Sequence, residues 1–345
     1  MIKVLIVDDS ALIRSVLTKI FEAASNIEVV GTAADPYIAR DKIKMLNPDV
    51  ITLDIEMPRM DGLTFLRNLM RLRPCPVVMI STLTQKGAPA TLEAIENGAV
   101  DYVGKPSADD PNLLAECADE IIAKVKMASV ANISRLEHQA TRPSLKVNPV
   151  PRVGKTSNKI IAIGASTGGT EALREVMMMM PADSPPIVIT QHIPPVFSTS
   201  FSKRLDEASQ ITVHEAADGD KILAGHAYIA PGGMQMSIFR RGSHYYCKVF
   251  DGERVNLHKP SVEVLFDSVA HEVGNKAIGV MLTGMGADGA EAMLRMKQAG
   301  SYNLIQDEQS SVVWGMPGAA AELSAHDKIL PLGSIAQELV KLSKK

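Results

Sequence analysis

A serine between glycines is the first feature of this sequence that could perform chemistry. Residues 164–168 read GASTG and fit the G-x-S-x-G pattern, in which a sharp strand-to-helix turn lifts a serine hydroxyl above a sheet. Ser166 is therefore a candidate nucleophile, and the following helix would direct amide N–H groups towards a developing oxyanion. The alternative is a phosphate-cradling or purely structural turn.

A general base and an orienting acid follow two other predicted strands. His192 comes after an apolar run at 187–190 and before two prolines, and Asp288 lies in the loop after 277–282. If these strand ends meet at one sheet edge, His192 can take the proton of Ser166 while Asp288 fixes the histidine tautomer. The chain order Ser…His…Asp differs from the Ser…Asp…His order of α/β-hydrolases. A structural, hydrogen-bonded histidine is the alternative for His192.

Two further residues need an assignment near this predicted site. His258 is a rival to His192 as the base, because it precedes a predicted helix at 262–273. Ser261 fits the N-cap position of that helix, which is the structural role we favour for it.

The loop at residues 284–289 offers a competing function. It matches G-x-G-x-x-G between a strand and a helix, and Asp307 and Glu308 lie about 20 residues on, as in dinucleotide-binding sites. Against this interpretation, Asp288 would place a carboxylate at the helix N-terminus where a pyrophosphate should bind. Too few residues remain to complete a dinucleotide-binding half.

The first part of the chain alternates predicted strands and helices. The strands are 2–7, 29–33, 50–53, 77–80 and 100–103, and the helices are 11–21, 37–46, 62–72, 91–97 and 112–125. Five βα units of this kind predict a doubly wound parallel sheet that is covered on both faces.

Charged and hydroxyl residues follow four of these strands. Asp8 and Asp9 follow the first strand, Asp54 the third, Ser81 the fourth and Lys105 the fifth. Three carboxylates at one sheet edge repel each other unless a hard cation binds, which indicates a Mg²⁺ site. With the lysine and the hydroxyl, such a site could neutralise a phosphoryl group. The alternative is helix capping, for which Asp9 and Ser10 are both suited.

This arrangement resembles the receiver domain of two-component response regulators. The matching residues are Asp8-Asp9, LDIEMP at 53–58, MDG at 60–62, Ser81 and Lys105-Pro106. The resemblance implies that Asp54 accepts the phosphoryl group and that Asp9 and Asp54 are direct Mg²⁺ ligands, with Asp8 nearby. It also implies that Lys105 contacts the phosphoryl group and that Ser81 is the switch hydroxyl.

The second half of the chain resembles the catalytic domain of chemotaxis protein-glutamate methylesterases. The matching segments are GASTGG at 164–169, QH at 191–192, APG at 230–232, HKPS at 258–261, LTGMGADG at 282–289 and GMP at 315–317. The resemblance implies the triad Ser166, His192 and Asp288, and it adds the backbone N–H of Met285 as an oxyanion donor. It also implies hydrolysis of glutamate methyl esters and deamidation of glutamines on the cytoplasmic domains of chemoreceptors.

The domain order follows from both resemblances. We expect a receiver domain at 1–125, a proline-punctuated linker at 126–156 and an α/β catalytic domain at 157–345. The catalytic domain should contain a mostly parallel sheet and an appended antiparallel hairpin, built from runs at 235–240 and 245–250. A chemotaxis histidine kinase would phosphorylate Asp54, and the receiver would inhibit catalysis until then.

Composition excludes several other classes of protein. The formal net charge of −3 and the absence of a short basic helix-turn-helix module argue against nucleic-acid binding. Three dispersed cysteines favour a reducing compartment, and no apolar run suits a signal peptide or membrane insertion. We expect a cytoplasmic monomer without a cofactor in its catalytic domain. A non-enzymatic regulator and a dinucleotide-dependent oxidoreductase remain the alternatives.

Overall fold

The computed structural model describes residues 1–81, 88–105, 111–133 and 158–344. The chain divides into two compact units, Met1–Ser144 and Leu145–Lys345. Within the described ranges, no helix combines the length and the apolar composition needed to cross a bilayer. Of the predicted linker, residues 134–156 lie outside the described part of the chain.

The first unit contains a five-stranded parallel sheet between helices. Its strands are β1 (Ile2–Val7), β2 (Ile27–Ala33), β3 (Val50–Leu53), β4 (Val77–Ser81) and β5 (Asp101–Gly104), in the order β2-β1-β3-β4-β5. Its helices are α1 (Ala11–Glu22), α2 (Pro36–Leu46), α3 (Gly62–Leu72), α4 (Ala88–Glu96) and α5 (Pro111–Ala128). Strands β3 and β4 are buried at every position, as expected for central strands covered on both faces. The predicted doubly wound sheet is confirmed.

Two helix ends in this unit refine the sequence predictions. Ser10, rather than Asp9, is the N-cap of α1, because its hydroxyl accepts a hydrogen bond from the backbone N–H of Ile13 at 3.4 Å. Helix α5 continues to Ala128, three residues past the predicted domain boundary at 125. Val125 and Ala128 are both buried, so the helix continues while its inner face has partners.

The second unit is built on a seven-stranded sheet. Its strands are β6 (Ile160–Ala165), β7 (Ile187–Gln191), β8 (Thr212–Glu215), β9 (His226–Ile229), β12 (Ala277–Met281), β13 (Tyr302–Gln306) and β14 (Lys328–Leu330). They pair in parallel in the order β14-β13-β12-β6-β7-β9-β8. The helices are α6 (Gly169–Met179), α7 (Pro195–Ala208), α8 (Val262–Glu272), α9 (Ala290–Gln298), α10 (Met316–Glu322) and α11 (Leu332–Ser343).

The predicted hairpin forms a sheet of its own. Strands β10 (Gln235–Arg241) and β11 (His244–Phe250) pair antiparallel, and β10 lies against α8. The backbone N–H of Ile238 donates to the Ser268 hydroxyl at 3.0 Å, which fixes the hairpin on that helix. The α/β class with a mostly parallel sheet and an added hairpin is therefore confirmed.

Helix α8 packs closely on the central strand of the second unit. A Cβ atom added at Gly164 would lie 2.4 Å from Cγ1 of Val262, so only glycine allows this approach. Val262 and Phe266 are fully buried in the same core. This packing brings the N-terminus of α8 to the carboxyl edge of the sheet, where the candidate residues lie.

Candidate functional site

Three neighbouring strands carry the candidate catalytic residues. Strand β6 lies between β12 and β7, so the residues that follow these strands share one sheet edge. Ser166 follows β6 and its N–H donates to the carbonyl of Thr283 at 3.1 Å. His192 follows β7 and its N–H donates to the carbonyl of Ala165 at 3.1 Å. These backbone contacts hold the three strand ends together before any side chain is considered.

The side chains of Ser166, His192 and Asp288 form a hydrogen-bonded chain. Ser166 Oγ lies 3.0 Å from His192 Nδ1, and His192 Nε2 lies 2.8 Å from Asp288 Oδ2. An ionised Asp288 can only accept, so Nε2 carries the ring proton and Nδ1 presents its lone pair to the serine hydroxyl. The ring is used in the reverse sense to chymotrypsin-type proteases, in which Nε2 faces the serine. The arrangement can take a proton from Ser166.

Asp288 is held as a carboxylate by an unusual number of donors. Besides His192, the donors are Asn256 Nδ2 at 2.9 Å, Ser261 Oγ at 2.8 Å and the backbone N–H groups of Val262 at 2.7 Å and Glu263 at 3.4 Å. Burial raises the pKa of Asp288, but the hydrogen bond and charge of His192 and the other side-chain donors lower the pKa to about 2.

The carboxylate of Asp288 occupies the N-terminus of helix α8. Ser261 is the N-cap of that helix, as predicted, and its hydroxyl accepts from the N–H of Glu263 at 3.1 Å. The same hydroxyl donates to Asp288, so Ser261 also supports the acid. A helix N-terminus stabilises negative charge. At the start of α8 this charge is the carboxylate of Asp288, which lies in the loop after strand β12. From the sequence, Asp288 was expected at the N-terminus of the helix that follows it, not at that of α8.

His258 lies beside the site in a different role from the one considered for it. Its ring stacks on the ring of His192, with centroids 3.6 Å apart and an angle of 14° between the planes. The imidazole in contact with Ser166 is that of His192. The geometry therefore favours His192 over His258 as the proton acceptor.

Gln191 joins the backbone of the serine to that of the histidine. Its buried Nε2 donates to the carbonyl of Ser166 at 2.9 Å and to the carbonyl of His192 at 3.1 Å. In the sequence, Gln191 had no predicted role beyond its place in the QH segment that resembles the methylesterase family. Its position before His192 at a buried strand end was the available signal.

The glycine-rich loop after β12 lies against the serine. A Cβ atom added at Gly284 would lie 2.8 Å from Cβ of Ser166 and 2.4 Å from Sδ of Met316, so a glycine is needed there. The backbone N–H of Met285 makes no hydrogen bond within the described ranges of the chain. An N–H group beside the serine with no other acceptor can serve a developing oxyanion.

The first unit gathers its predicted residues at the carboxyl edge of its own sheet. Oxygen atoms of Asp8, Asp9 and Asp54 lie within 4.8 Å of one another. Lys105 Nζ lies 2.8 Å from Asp54 Oδ2 and 3.0 Å from Asp8 Oδ2. Burial and the charge of Asp8 raise the pKa of Asp54 to about 6, although Lys105 opposes the shift. Carboxylates crowded in this way suit a hard cation such as Mg²⁺.

Ser81 ends strand β4 in register with Gly104, the residue before Lys105. Its buried hydroxyl lies 3.4 Å from Oγ1 of Thr91. Pro106, part of the predicted receiver motif, lies outside the described residues. The serine and the lysine are therefore brought to neighbouring strand ends, as predicted.

Comparison with known proteins gives the family. A CheB methylesterase profile matches residues 161–339, and a response regulator receiver profile matches residues 4–130. A protein-glutamate methylesterase/protein-glutamine glutaminase of Xanthomonas euvesicatoria is 55% identical over 348 residues, covering 99% of this chain and 97% of that protein. The chain belongs to the CheB methylesterase family. A family member from Saccharophagus degradans is 54% identical and covers 99% of this chain and 98% of its own length.

A solved structure supports the fold of the catalytic unit. The CheB methylesterase catalytic domain of Thermotoga maritima is 36% identical, with a TM-score of 0.52, and covers 53% of this chain and 98% of that chain. The CheB family assignment confirms the resemblance stated from the sequence. It also disfavours a dinucleotide-binding role for residues 284–289, whose Asp288 is already committed to His192 and α8.

Proposed function

We propose that this chain hydrolyses γ-glutamyl methyl esters on the cytoplasmic domains of chemoreceptors and deamidates receptor glutamines. The carrying observation is the chain of contacts from Ser166 through His192 to Asp288. The printed names of the full-length relatives, protein-glutamate methylesterase/protein-glutamine glutaminase, support the substrate class.

Acylation begins when Ser166 Oγ attacks the ester carbonyl carbon. His192 Nδ1 takes the hydroxyl proton, and the backbone N–H of Met285 stabilises the oxyanion. The tetrahedral intermediate expels the methoxy group, which receives the proton from His192 and leaves as methanol. Asp288 stabilises the imidazolium and remains ionised throughout, in keeping with its low pKa.

Deacylation repeats these steps with water. His192 takes a proton from a water molecule, which attacks the acyl-serine. The C–O bond to Ser166 then breaks, His192 returns the proton to Ser166 Oγ, and the receptor side chain leaves as a glutamic acid carboxyl group. A glutamine side chain passes through the same type of intermediate and leaves ammonia instead of methanol. One oxyanion site therefore serves both the ester and the amide.

The receiver unit is proposed to control this activity. A chemotaxis histidine kinase would transfer a phosphoryl group to Asp54, with Mg²⁺ held by Asp9 and Asp54, and with Asp8 nearby. The bound ion would neutralise phosphoryl oxygens, while Lys105 would contact the group and Ser81 would act as the switch hydroxyl. Phosphorylation would favour the active arrangement over an inhibited one by interacting differently with the two.

We propose a cytoplasmic monomer without a nucleic-acid partner, membrane insertion or a cofactor in the catalytic domain. The division into 1–125, 126–156 and 157–345 also remains a proposal, with helix α5 continuing into the linker as far as Ala128.

Methanol release from methylated chemoreceptor membranes tests this function. We expect release by the intact chain to rise with a small phosphodonor and Mg²⁺, and to fall by about 10⁴-fold or more in Ser166→Ala. Ser243→Ala, in the exposed hairpin turn, is the matched serine control. Asp54→Asn should lose the rise caused by the phosphodonor.

Two results would contradict the proposal separately. Undiminished release by Ser166→Ala would remove the serine mechanism. A phosphodonor response that survives in Asp54→Asn would remove the assigned phosphorylation site and leave the esterase assignment intact.

A further inference from the structure

A tight turn at residues 255–258 adjoins the catalytic residues. The N–H of Val255 donates to the carbonyl of His258 at 3.0 Å, and the N–H of His258 donates back to the carbonyl of Val255 at 2.9 Å. The two central residues, Asn256 and Leu257, both have positive φ angles, of 51° and 70°. This geometry is that of a type I′ turn, whose preferred sequence is Asn-Gly. Here a leucine occupies the glycine position.

The side chain of Leu257 is too exposed to offset the strain of this backbone conformation by packing within the fold. A residue other than glycine, asparagine or aspartate is strained when its backbone adopts the left-handed conformation. The side chain of Leu257 is also 83% exposed, the highest value for a large hydrophobic residue in the described part of the chain. Glycine would suit the turn better, and packing within the fold does not account for a leucine at this position. Strained residues of this kind cluster at functional sites.

The turn is anchored to the triad on both sides of Leu257. Asn256 donates to the carboxylate of Asp288 at 2.9 Å, and the ring of His258 stacks on the ring of His192. Leu257 is therefore fixed on the rim of the site by its neighbours. A glutamyl side chain is short, so the polypeptide that carries it must pass along this rim for its carbonyl to reach the serine.

We propose that Leu257 is a specificity-determining residue that packs against apolar side chains of the protein segment carrying the glutamyl ester. The proposal rests on the proposed function, which makes the substrate a segment of a chemoreceptor. In a helical segment, residues three and four positions from the glutamate share its face and can meet Leu257. The side chain of Met285, which is 36% exposed on the loop beside Ser166, adds apolar surface at the same site.

Substitutions at Leu257 can separate the effect of its apolar side chain from the effect of the backbone conformation of the turn. Leu257→Gly and Leu257→Asn both suit a positive φ angle while removing the apolar group. Leu257→Met keeps an apolar group and is the conservative variant. Two controls are Ser324→Gly, at another residue with a positive φ angle of 54°, and Ile329→Ala, which truncates an apolar side chain that is 44% exposed.

The experiment compares two substrates with the intact, phosphodonor-treated chain in Mg²⁺. Initial rates of methanol release give kcat/KM for methylated receptor membranes and for a small glutamate methyl ester. We expect the receptor-to-small-ester ratio of kcat/KM to fall about tenfold in Leu257→Gly and Leu257→Asn, the usual size for a lost interface contact. The change should lie mainly in KM for the receptor. Leu257→Met and both controls should keep the ratio, and no Leu257→Gly loss of thermal stability is expected.

Three outcomes would count against the proposal. An unchanged ratio in Leu257→Gly, with the wild-type chain active on receptors, overturns this proposal alone. Higher release by Leu257→Gly without the phosphodonor would assign the side chain to inhibition by the receiver unit, and would also overturn it. A wild-type chain that releases no methanol from receptors overturns the proposed function and this inference together.

Discussion

Each of the two units buries an aspartate at the carboxyl edge of a parallel sheet, yet the pKa values of the two carboxyl groups are shifted in opposite directions. Asp54 is 2% exposed and Asp288 is 3% exposed. The pKa of Asp54 is raised from 3.8 to about 6, whereas the pKa of Asp288 is lowered from 3.8 to about 2. Burial alone would raise both. The difference must come from the groups around each carboxylate.

Those surroundings differ in donors and in neighbouring charge. Asp288 accepts hydrogen bonds from side chains, which lower its pKa, and from two N–H groups at the start of α8. Asp54 has the ammonium of Lys105, but it shares that group with Asp8. The catalytic unit thus holds a charge that stays in place, while the receiver unit holds charges that favour an arriving cation. The carboxyl edge of a parallel sheet can hold either kind of carboxylate, because the loops at that edge supply different partners to Asp288 and to Asp54.

The largest expected effect comes from replacing Asp288 with asparagine. In Asp288→Asn the amide NH₂ group replaces one of two accepting oxygens. At the Oδ2 position it faces both His192 Nε2 and the N–H of Val262, so donors meet a donor and the hydrogen bond that fixes the histidine tautomer is lost. We expect kcat for methanol release to fall by about 10³–10⁴-fold. Asp251→Asn, at a side chain that is 80% exposed, is the matched control and should retain activity. A fall of less than tenfold in Asp288→Asn would contradict the role of this carboxylate.

Replacing Asp54 with asparagine should stabilise the first unit at neutral pH when no metal is bound. Because the folded pKa of Asp54 is about 6 and its ordinary value is 3.8, ionisation of this group lowers the stability of the metal-free first unit as pH rises from about 4 through 6. Asp54→Asn removes the ionisable group, and we expect the free energy of unfolding of the first unit at pH 7 to rise by about 1–3 kcal/mol without metal.

Calorimetry in EDTA and in excess Mg²⁺ measures this effect. Mg²⁺ should stabilise the wild-type first unit more than the Asp54→Asn unit, because a ligand has been removed. A variant that is less stable than wild type in EDTA would contradict a destabilising effect of the ionised Asp54 carboxylate.

The second unit should show the reverse pH dependence in acid. The folded pKa of Asp288 is about 2, below the ordinary 3.8, so its stabilising contribution is complete above about pH 4 and is lost as pH falls towards 2. We expect this contribution to be about 2 kcal/mol. Trp314 is the single tryptophan of the chain and reports unfolding of this unit by fluorescence. In Asp288→Asn the acid-dependent loss should be smaller, and an unchanged profile would contradict the assignment.

Much of both candidate sites could be predicted because the candidate catalytic and phosphoryl-site residues follow strands directly. Ser166, His192 and Asp54 each come within one residue of a buried strand. Parallel pairing then brings Ser166 and His192 to one edge of the second sheet, and Asp54 to the carboxyl edge of the first. The sheet order was not needed for this inference. Short strands with mixed burial, such as β8, show too weak an alternation of apolar and polar residues to be predicted from the sequence. Helix α7 was likewise not predicted.

The support for Asp288 could not be predicted in the same way. Asn256 reaches it from a turn 32 residues earlier, and α8 reaches it because Gly164 allows the helix to pack closely on β6. These are long-range packing results that leave no local pattern in the sequence. Only Ser261, whose capping position is a local signal, was assigned a place beforehand.

The smallest predicted effect compares a helix cap in each unit. Ser261 both caps α8 and donates to Asp288 at 2.8 Å, whereas Ser10 caps α1 through a single contact of 3.4 Å. We expect Ser261→Ala to lower the free energy of unfolding of its unit by about 1–2 kcal/mol and Ser10→Ala by about 0.5 kcal/mol, measured by urea unfolding. Ser261→Ala should also lower kcat several-fold, because the carboxylate loses one donor. Equal losses in the two variants, with kcat unchanged, would mean that Ser261 acts as a cap alone.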